Sequence, residues 1–223
     1  MKHHARLALG GLLSAVAMTV AACGGAGGNA GDANNGAAEE GRKSGSMGAM
    51  NQSRTHQASG EMAAGMLMEN GRYSDERFID AMVPHHQGAV EMAEVALDNA
   101  EHDEIRQLSE NIIAAQKAEI KDLKEIKQEE FSTSRIPMSM SADQMKGMGM
   151  TTDPQSLADE KPFDKAFIDN MLPHHRSAIQ MAGVARDKSQ NPRIEKLATN
   201  IVEAQEREIS QMKQWREQWY PGG

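Results

Sequence analysis

The chain has 223 residues, 32 Asp and Glu against 24 Lys and Arg, a formal charge of −8, and one cysteine beside 17 methionines. The acidic balance argues against a nucleic-acid partner held through phosphates and suits cations better, although acidity of this size also serves solubility alone. A single thiol rules out an internal disulfide and a thiolate metal cluster, so soft-metal chemistry would have to come from methionine and histidine.

Lys2 and Arg6 precede an apolar run from Leu7 to Ala22, shorter than the roughly 20 residues that span a membrane comfortably. Residues 1–22 therefore read as a secretory signal. The small residues of Val20-Ala21-Ala22-Cys23-Gly24 resemble the lipobox of bacterial lipoproteins, which implies a lipidated Cys23 and a protein anchored to the outer face of the cell membrane. An ordinary signal peptide, or an uncleaved anchor with an incidental cysteine, accounts for the same residues. From Cys23 to about Gly60 the chain is Gly, Ala, Asn and Ser with scattered charge. It has no apolar period with which to build a core and is expected to be a disordered tether.

Residues 61–223 are expected to form one duplicated domain. The segment Phe78-Ile-Asp-Ala-Met-Val-Pro-His-His-Gln-Gly-Ala-Val-Glu-Met-Ala-Glu-Val-Ala96 matches Phe167-Ile-Asp-Asn-Met-Leu-Pro-His-His-Arg-Ser-Ala-Ile-Gln-Met-Ala-Gly-Val-Ala185 at a constant offset of 89. The match runs on without a gap through Ile105/Ile194, Asn111/Asn200, Gln116/Gln205 and Glu119/Glu208. Such a match implies duplication of one folded unit, with repeat 1 at about 73–131, a Met-rich linker at 132–161 and repeat 2 at about 162–219.

A short helix is possible near Glu61 to Glu69. Each repeat then reads as two helices. The first covers about Asp75 to Asn99, and about Pro162 to Ser189 in the second copy. The second starts near His102 or Asn191, where Asn191-Pro192 is a cap and first-turn signature, and the later copy runs to about Trp219. The apolar series Ile105, Leu108, Ile112, Ile120, Leu123 and Ile194, Leu197, Ile201, Ile209, Met212 keep helical spacing. Connections of a few residues make the paired helices antiparallel neighbours, and two amphipathic hairpins bury their stripes most simply as an all-α four-helix bundle.

On a helical wheel Phe78, Ile79, Met82, His85, His86, Ala89, Val90, Met92, Ala93, Ala96 and Leu97 share an arc of roughly 160°, opposite Asp80, Gln87, Glu91, Glu94 and Asp98. The histidines therefore face inward. Pro84 points away from that face and denies the Asp80 carbonyl its helical hydrogen bond, so a kink is expected there. Two adjacent buried imidazoles must satisfy four ring nitrogens. A metal is one solution. Thioether with imidazole, outside the cytoplasm and without thiols, favours copper: thioether for Cu(I), imidazole for either oxidation state. The candidate ligands are Met82, His85, His86, Met92, Met171, His174, His175 and Met181, with Gln116, Glu119, Gln205 and Glu208 as partners behind them. Alternatively, those Gln and Glu side chains hydrogen-bond the histidines in a purely structural core. Met138, Met140, Met145, Met148 and Met150 crowd a polar linker with no core to fill and read as a separate set of possible Cu(I) ligands. Met47, Met50, Met62, Met66 and Met68 repeat the tendency earlier.

The doubled Phe-Ile-Asp-x-Met-(Val/Leu)-Pro-His-His-x-x-Ala-(Val/Ile)-x-Met-Ala pattern, within a likeness spanning about Tyr73 to Trp219, resembles the domain of unknown function 305 family of exported bacterial proteins. That resemblance implies a ferritin-like four-helix fold and, from a copper-binding member, copper handling at the motif residues. It does not imply iron chemistry, since the chain has no Glu-x-x-His of the di-iron kind. The expected function is a copper-binding lipoprotein that buffers or sequesters copper; the alternative is a non-metal structural or protein-interaction module of the cell envelope. An enzyme is not expected, with no Cys-x-x-Cys-His haem signature, few aromatics and no nucleophile paired with a base.

Overall fold

The computed structural model describes residues 65–137, 141–150 and 153–222. The signal, Cys23, the tether, and Met47, Met50, Met62, Met138 and Met140 lie outside the described residues.

Where a helix was expected before the first repeat, only Gly65 and Met66 are helical within the described residues. A two-residue ladder follows, β1 (Met68–Glu69) pairing antiparallel with β2 (Arg72–Tyr73). Its turn is Asn70-Gly71, both at positive φ, 51° and 76°. An Asn-Gly pair supplies that left-handed geometry at little steric cost, so turn chemistry overrides a weak helical tendency.

The four long helices follow the sequence pattern closely: α1 (Asp75–Asn99), α2 (Asp103–Phe131), α4 (Phe163–Lys188) and α5 (Pro192–Trp219), with a short α3 (Ala142–Gly147) and a 3-10 turn (Pro154–Asp159) in the linker. Local chemistry sets the ends. Ser74 Oγ accepts the Arg77 N–H at 3.4 Å, ahead of Asp75 and Glu76 in the first turn. Asn191 Oδ1 accepts the Arg193 N–H at 3.0 Å, with Pro192 opening α5. Helix α1 continues through Pro84.

Each hairpin, α1 with α2 and α4 with α5, packs along its length, and the two hairpins join chiefly through α1 against α4. The core divides into two halves. In one, Phe78 and Met82 of α1 meet Ala178, Met181 and Ala185 of α4, with Leu123, Ile126, Ile194 and Ile201. In the other, Met92 and Ala96 meet Phe163, Phe167 and Met171, with Ile105, Ile112, Ile209 and Met212. The start of α1 thus lies beside the end of α4, and the two helices cross antiparallel between the halves. Each fully buried Phe, Leu, Ile or Met contributes about 1.5–3 kcal/mol. Ala81, Val83 and Val95, off the expected arc, are buried as well. Leu67 and Met148 join the first half and Leu157 of the 3-10 turn joins the second, so the segments outside the repeats cover the back of α1.

One buried carboxylate ties the hairpins at the bundle's end. Asp164, fully buried in the first turn of α4, accepts the backbone N–H of Glu101 at 2.9 Å and of His102 at 2.8 Å, and lies 2.6 Å from His102 Nδ1. It caps α2 from another hairpin, while His102 stacks on Trp219 with ring centroids 3.8 Å apart. Asp164→Ala leaves three donors without their acceptor and is expected to lower stability by about 2–4 kcal/mol. Urea unfolding with a loss under about 1 kcal/mol would show that the cap is dispensable.

Candidate metal centre

The crossing of α1 and α4 falls at the two Pro-His-His motifs. His85, His86, His174 and His175 are each at most 1% exposed. The rings of His85 and His174, one from each repeat, lie 3.8 Å apart between centroids at an interplanar angle of 38°. His86 and His175 sit outside this pair, 6.4 and 6.3 Å from their sequence neighbours. The sequence left open whether the two motifs lie together or apart; here the rings of His85 and His174 are in contact.

Polar partners hold three of the four rings by Nε2. His175 Nε2 donates to Glu208 Oε2 at 2.6 Å. His86 Nε2 lies 2.9 Å from Glu119 Oε2, close enough for an ionic contact but off line for a directed hydrogen bond. His85 Nε2 lies 2.7 Å from Ser177 Oγ and 3.3 Å from the Met148 carbonyl. The Ser177 hydroxyl is itself 2.5 Å from the Met148 carbonyl and 2.8 Å from the His174 carbonyl. Carbonyls only accept, so the Ser177 proton goes to one of them and His85 Nε2 must carry the proton it donates to Ser177 Oγ. The lone pair of His85 is then on Nδ1.

His174 differs from the other three in having neither a hydroxyl nor a carboxylate at its ring: both nitrogens lack a well-formed hydrogen bond, and its polar neighbour is the His85 backbone. Nδ1 of all four rings is also without a partner. Each unsatisfied buried nitrogen costs about 1–3 kcal/mol. Burial first, then His86, drives the His85 pKa well below the ordinary 6.5, against a smaller upward pull from the Met148 carbonyl. Burial first, then His85 and His175, does the same to His174. Both central imidazoles are therefore neutral at neutral pH and have lone pairs to give, which is what a metal requires of histidine. Carboxylates behind the outer rings complete the usual pattern of oriented imidazole ligands.

The remaining predicted residues fall into three groups. Met82, Met92, Met171 and Met181 are at most 1% exposed. Met82 and Met181 belong to one half of the core and Met92 and Met171 to the other, so the thioethers bracket the imidazole layer. Gln116 and Gln205 are buried as expected, but Gln116 makes no side-chain hydrogen bond and Gln205 Oε1 has no partner. Glu119 and Glu208 alone reach the histidines. In the linker, the expectation of a separate polar region is corrected. Met148 is fully buried in the core, and Met150 packs against it. The Met148 carbonyl reaches His85 and Ser177, so this part of the linker belongs to the centre. Among the described residues no three His, Cys, Asp or Glu side chains are grouped so as to hold a metal ion by themselves.

Sequence reasoning missed Ser177, Gly88 and the Met148 carbonyl. Position 88/177 is the one place just after His-His-x where the copies differ between no side chain and a hydroxyl, and that asymmetry was the available signal.

The family model described as "Domain of unknown function (DUF305)" matches residues 28–127 and 75–216. The chain belongs to the DUF305 family. Among solved structures similar to the chain, CopM in its Cu(II)-bound form is 42% identical, covering 67% of this chain and 99% of that one at a TM-score of 0.62. CopM in its Cu(I)-bound form is 40% identical over similar shares, at 0.60. A DUF305 protein of Streptomyces coelicolor described as secreted is 28% identical, covering 62% of this chain and 90% of that one, at 0.53. An uncharacterized protein of Acanthamoeba polyphaga mimivirus is 41% identical over 49 residues, 22% of this chain and 32% of that protein. The all-α bundle expected from the sequence is the fold these DUF305 structures share.

The depressed pKa values carry a pH dependence whose sign is fixed. Below about pH 6.5 the unfolded chain protonates His85 and His174 while the folded chain does not, so metal-free stability present above 6.5 is lost as pH falls towards the folded values, by up to about 1.4 kcal/mol per pH unit for each residue. In paired urea titrations at pH 7 and pH 5, the His85→Gln/His174→Gln variant is expected to lose less stability than the parent. Equal losses would show that the pair does not titrate as its burial demands.

Proposed function

We propose that the protein binds copper outside the cytoplasm, buffering or sequestering it at a centre where the two repeats meet. The observation that carries this reading is the closely apposed His85–His174 pair, buried, neutral and short of hydrogen-bond partners. His86 and His175 flank it, oriented by Glu119 and Glu208. Met82, Met92, Met171 and Met181 bring thioethers above and below. Neutral imidazole suits both copper oxidation states and thioether suits Cu(I). CopM, solved with Cu(I), Cu(II) and silver bound, supports the choice of metal. The secreted description of the Streptomyces relative supports an extracytoplasmic site. Among the described residues no helix is long and apolar enough to cross a membrane. Attachment through a lipidated Cys23 is part of the proposal, and mass spectrometry of the membrane-extracted protein checks it.

Competition between the purified protein and a Cu(I) chelator under reducing conditions tests the centre. The His85→Gln/His174→Gln variant is expected to lose at least about tenfold in affinity, and unchanged affinity would move the metal elsewhere.

His174→Leu separates copper binding from a structural role. It removes the ring that has no hydrogen bond to lose, so the metal-free variant should gain about 1–2 kcal/mol while copper binding falls. A less stable variant with intact copper binding would instead favour a core maintained by its histidines.

A further inference from the structure

Residues 88 and 177 occupy the same place in the two repeats, and they make the two sides of the imidazole pair unlike. On one side Ser177 takes up His85 Nε2 and fastens the Met148 carbonyl. On the other, Gly88 leaves space. A Cβ at position 88 would lie 3.6 Å from His174 Nε2 and 3.4 Å from the Met150 methyl carbon. Met150 and the unpartnered nitrogen of His174 therefore face the same small volume.

The linker that brings Met150 there is closely seated. Gly149 has φ +68°, and a Cβ on it would lie 2.8–2.9 Å from the backbone of Pro173 and His174. Only glycine permits that approach. Before it, Met148 is sunk in the core with its carbonyl held by Ser177; after it, Met150 lies partly buried over Gly88. A methionine serving only to cover apolar surface would have no reason to stand at the one imidazole held by neither hydroxyl nor carboxylate.

We propose that His174 Nε2 and the Met150 thioether are paired ligands of a Cu(I)-selective subsite, kept open by Gly88 and closed by the linker segment Met148-Gly149-Met150. This rests on the copper reading above and deepens it. The thioether is a soft neutral donor that favours monovalent copper over Cu(II). The occupied Nε2 of His85 prevents the same arrangement on the other side, so each chain has one such subsite.

Two variants of the full chain test it, with Cu(I) and Cu(II) affinities measured by chelator competition and sulfur ligation read by copper X-ray absorption. Met150→Leu keeps the bulk and removes the sulfur. It should lose at least about tenfold for Cu(I), stay within about twofold for Cu(II), and show weaker sulfur scattering. Gly88→Ala puts a methyl at ordinary contact distance in the metal-free protein and improves helix propensity, so its melting temperature should not fall while its Cu(I) affinity does. Retained Cu(I) affinity in Met150→Leu, or equal losses for both oxidation states, overturns the subsite. If the parent binds copper, His85→Gln/His174→Gln abolishes binding and Met150→Leu changes nothing, only this inference falls. A parent that binds no Cu(I) removes both it and the copper reading.

Discussion

Four imidazoles buried at the crossing of two helices are the constraint around which this bundle is arranged. A domain of this kind is stable by only about 5–15 kcal/mol, and several ring nitrogens without hydrogen bonds oppose folding by an appreciable part of that. The layer survives because it lies between two apolar halves, one centred on Phe78, Met82 and Met181 and the other on Met92, Phe167 and Met171. Packing on both sides fixes α1 against α4, and the histidines are carried to the crossing because they sit midway along each helix. Partial satisfaction comes from outside the pair: Glu119 and Glu208 on the second helix of each hairpin, and Ser177 with the Met148 carbonyl.

Duplication explains why the layer is nearly symmetric. A gapless repeat places His85 and His174, and Glu119 and Glu208, in corresponding positions, so antiparallel packing of the two units brings like against like. The linker exists only once and cannot obey that symmetry. Where it touches the centre the repeats have diverged, with serine at 177 to fasten its carbonyl and glycine at 88 to admit its side chain. The same linker segment thus meets one side of the pair with the Met148 carbonyl and approaches the other with the Met150 side chain.

Much of this fold was legible because its signals are local or periodic. Asn191 and Pro192 mark a helix start, the 3.6-residue apolar spacing marks the buried faces, and an offset of 89 marks the repeat. The inward direction of His85 and His174 followed from the wheel. Their ring-to-ring contact did not, because periodicity says which face is buried and not which residues oppose one another across it. Asp164 was invisible for a related reason: nothing in its own helix distinguishes it from a solvated first-turn acid, and its partners at Glu101 and His102 are more than 60 residues away. Linker methionines looked solvated because the segment lacks a period, yet Met148 enters the core through an aperiodic loop seated by Gly149. Gln116 and Gln205 were placed on the right face, but the length and reach of a side chain decided that Glu119 and Glu208 would contact the histidines instead.

Burial also bears on which ion such a centre can hold. The cost of moving an ion out of water grows with the square of its charge, so a dry site with neutral ligands penalises a divalent ion far more than a monovalent one. His85 and His174 are neutral because burial depresses their pKa values, and methionine contributes no charge. The carboxylates of Glu119 and Glu208 stand one ring further out, against His86 and His175. On the proposed copper reading they would balance a single positive charge at the pair without competing with soft donors for the ion itself. Neutral ligands have a second consequence. On the proposed copper reading, no proton would have to leave His85 or His174 near neutral pH, so affinity at the pair would vary little with small pH changes. On that reading such a centre would gain selectivity from desolvation and soft donors together, with Met148 and Met150 of the linker packed beside it.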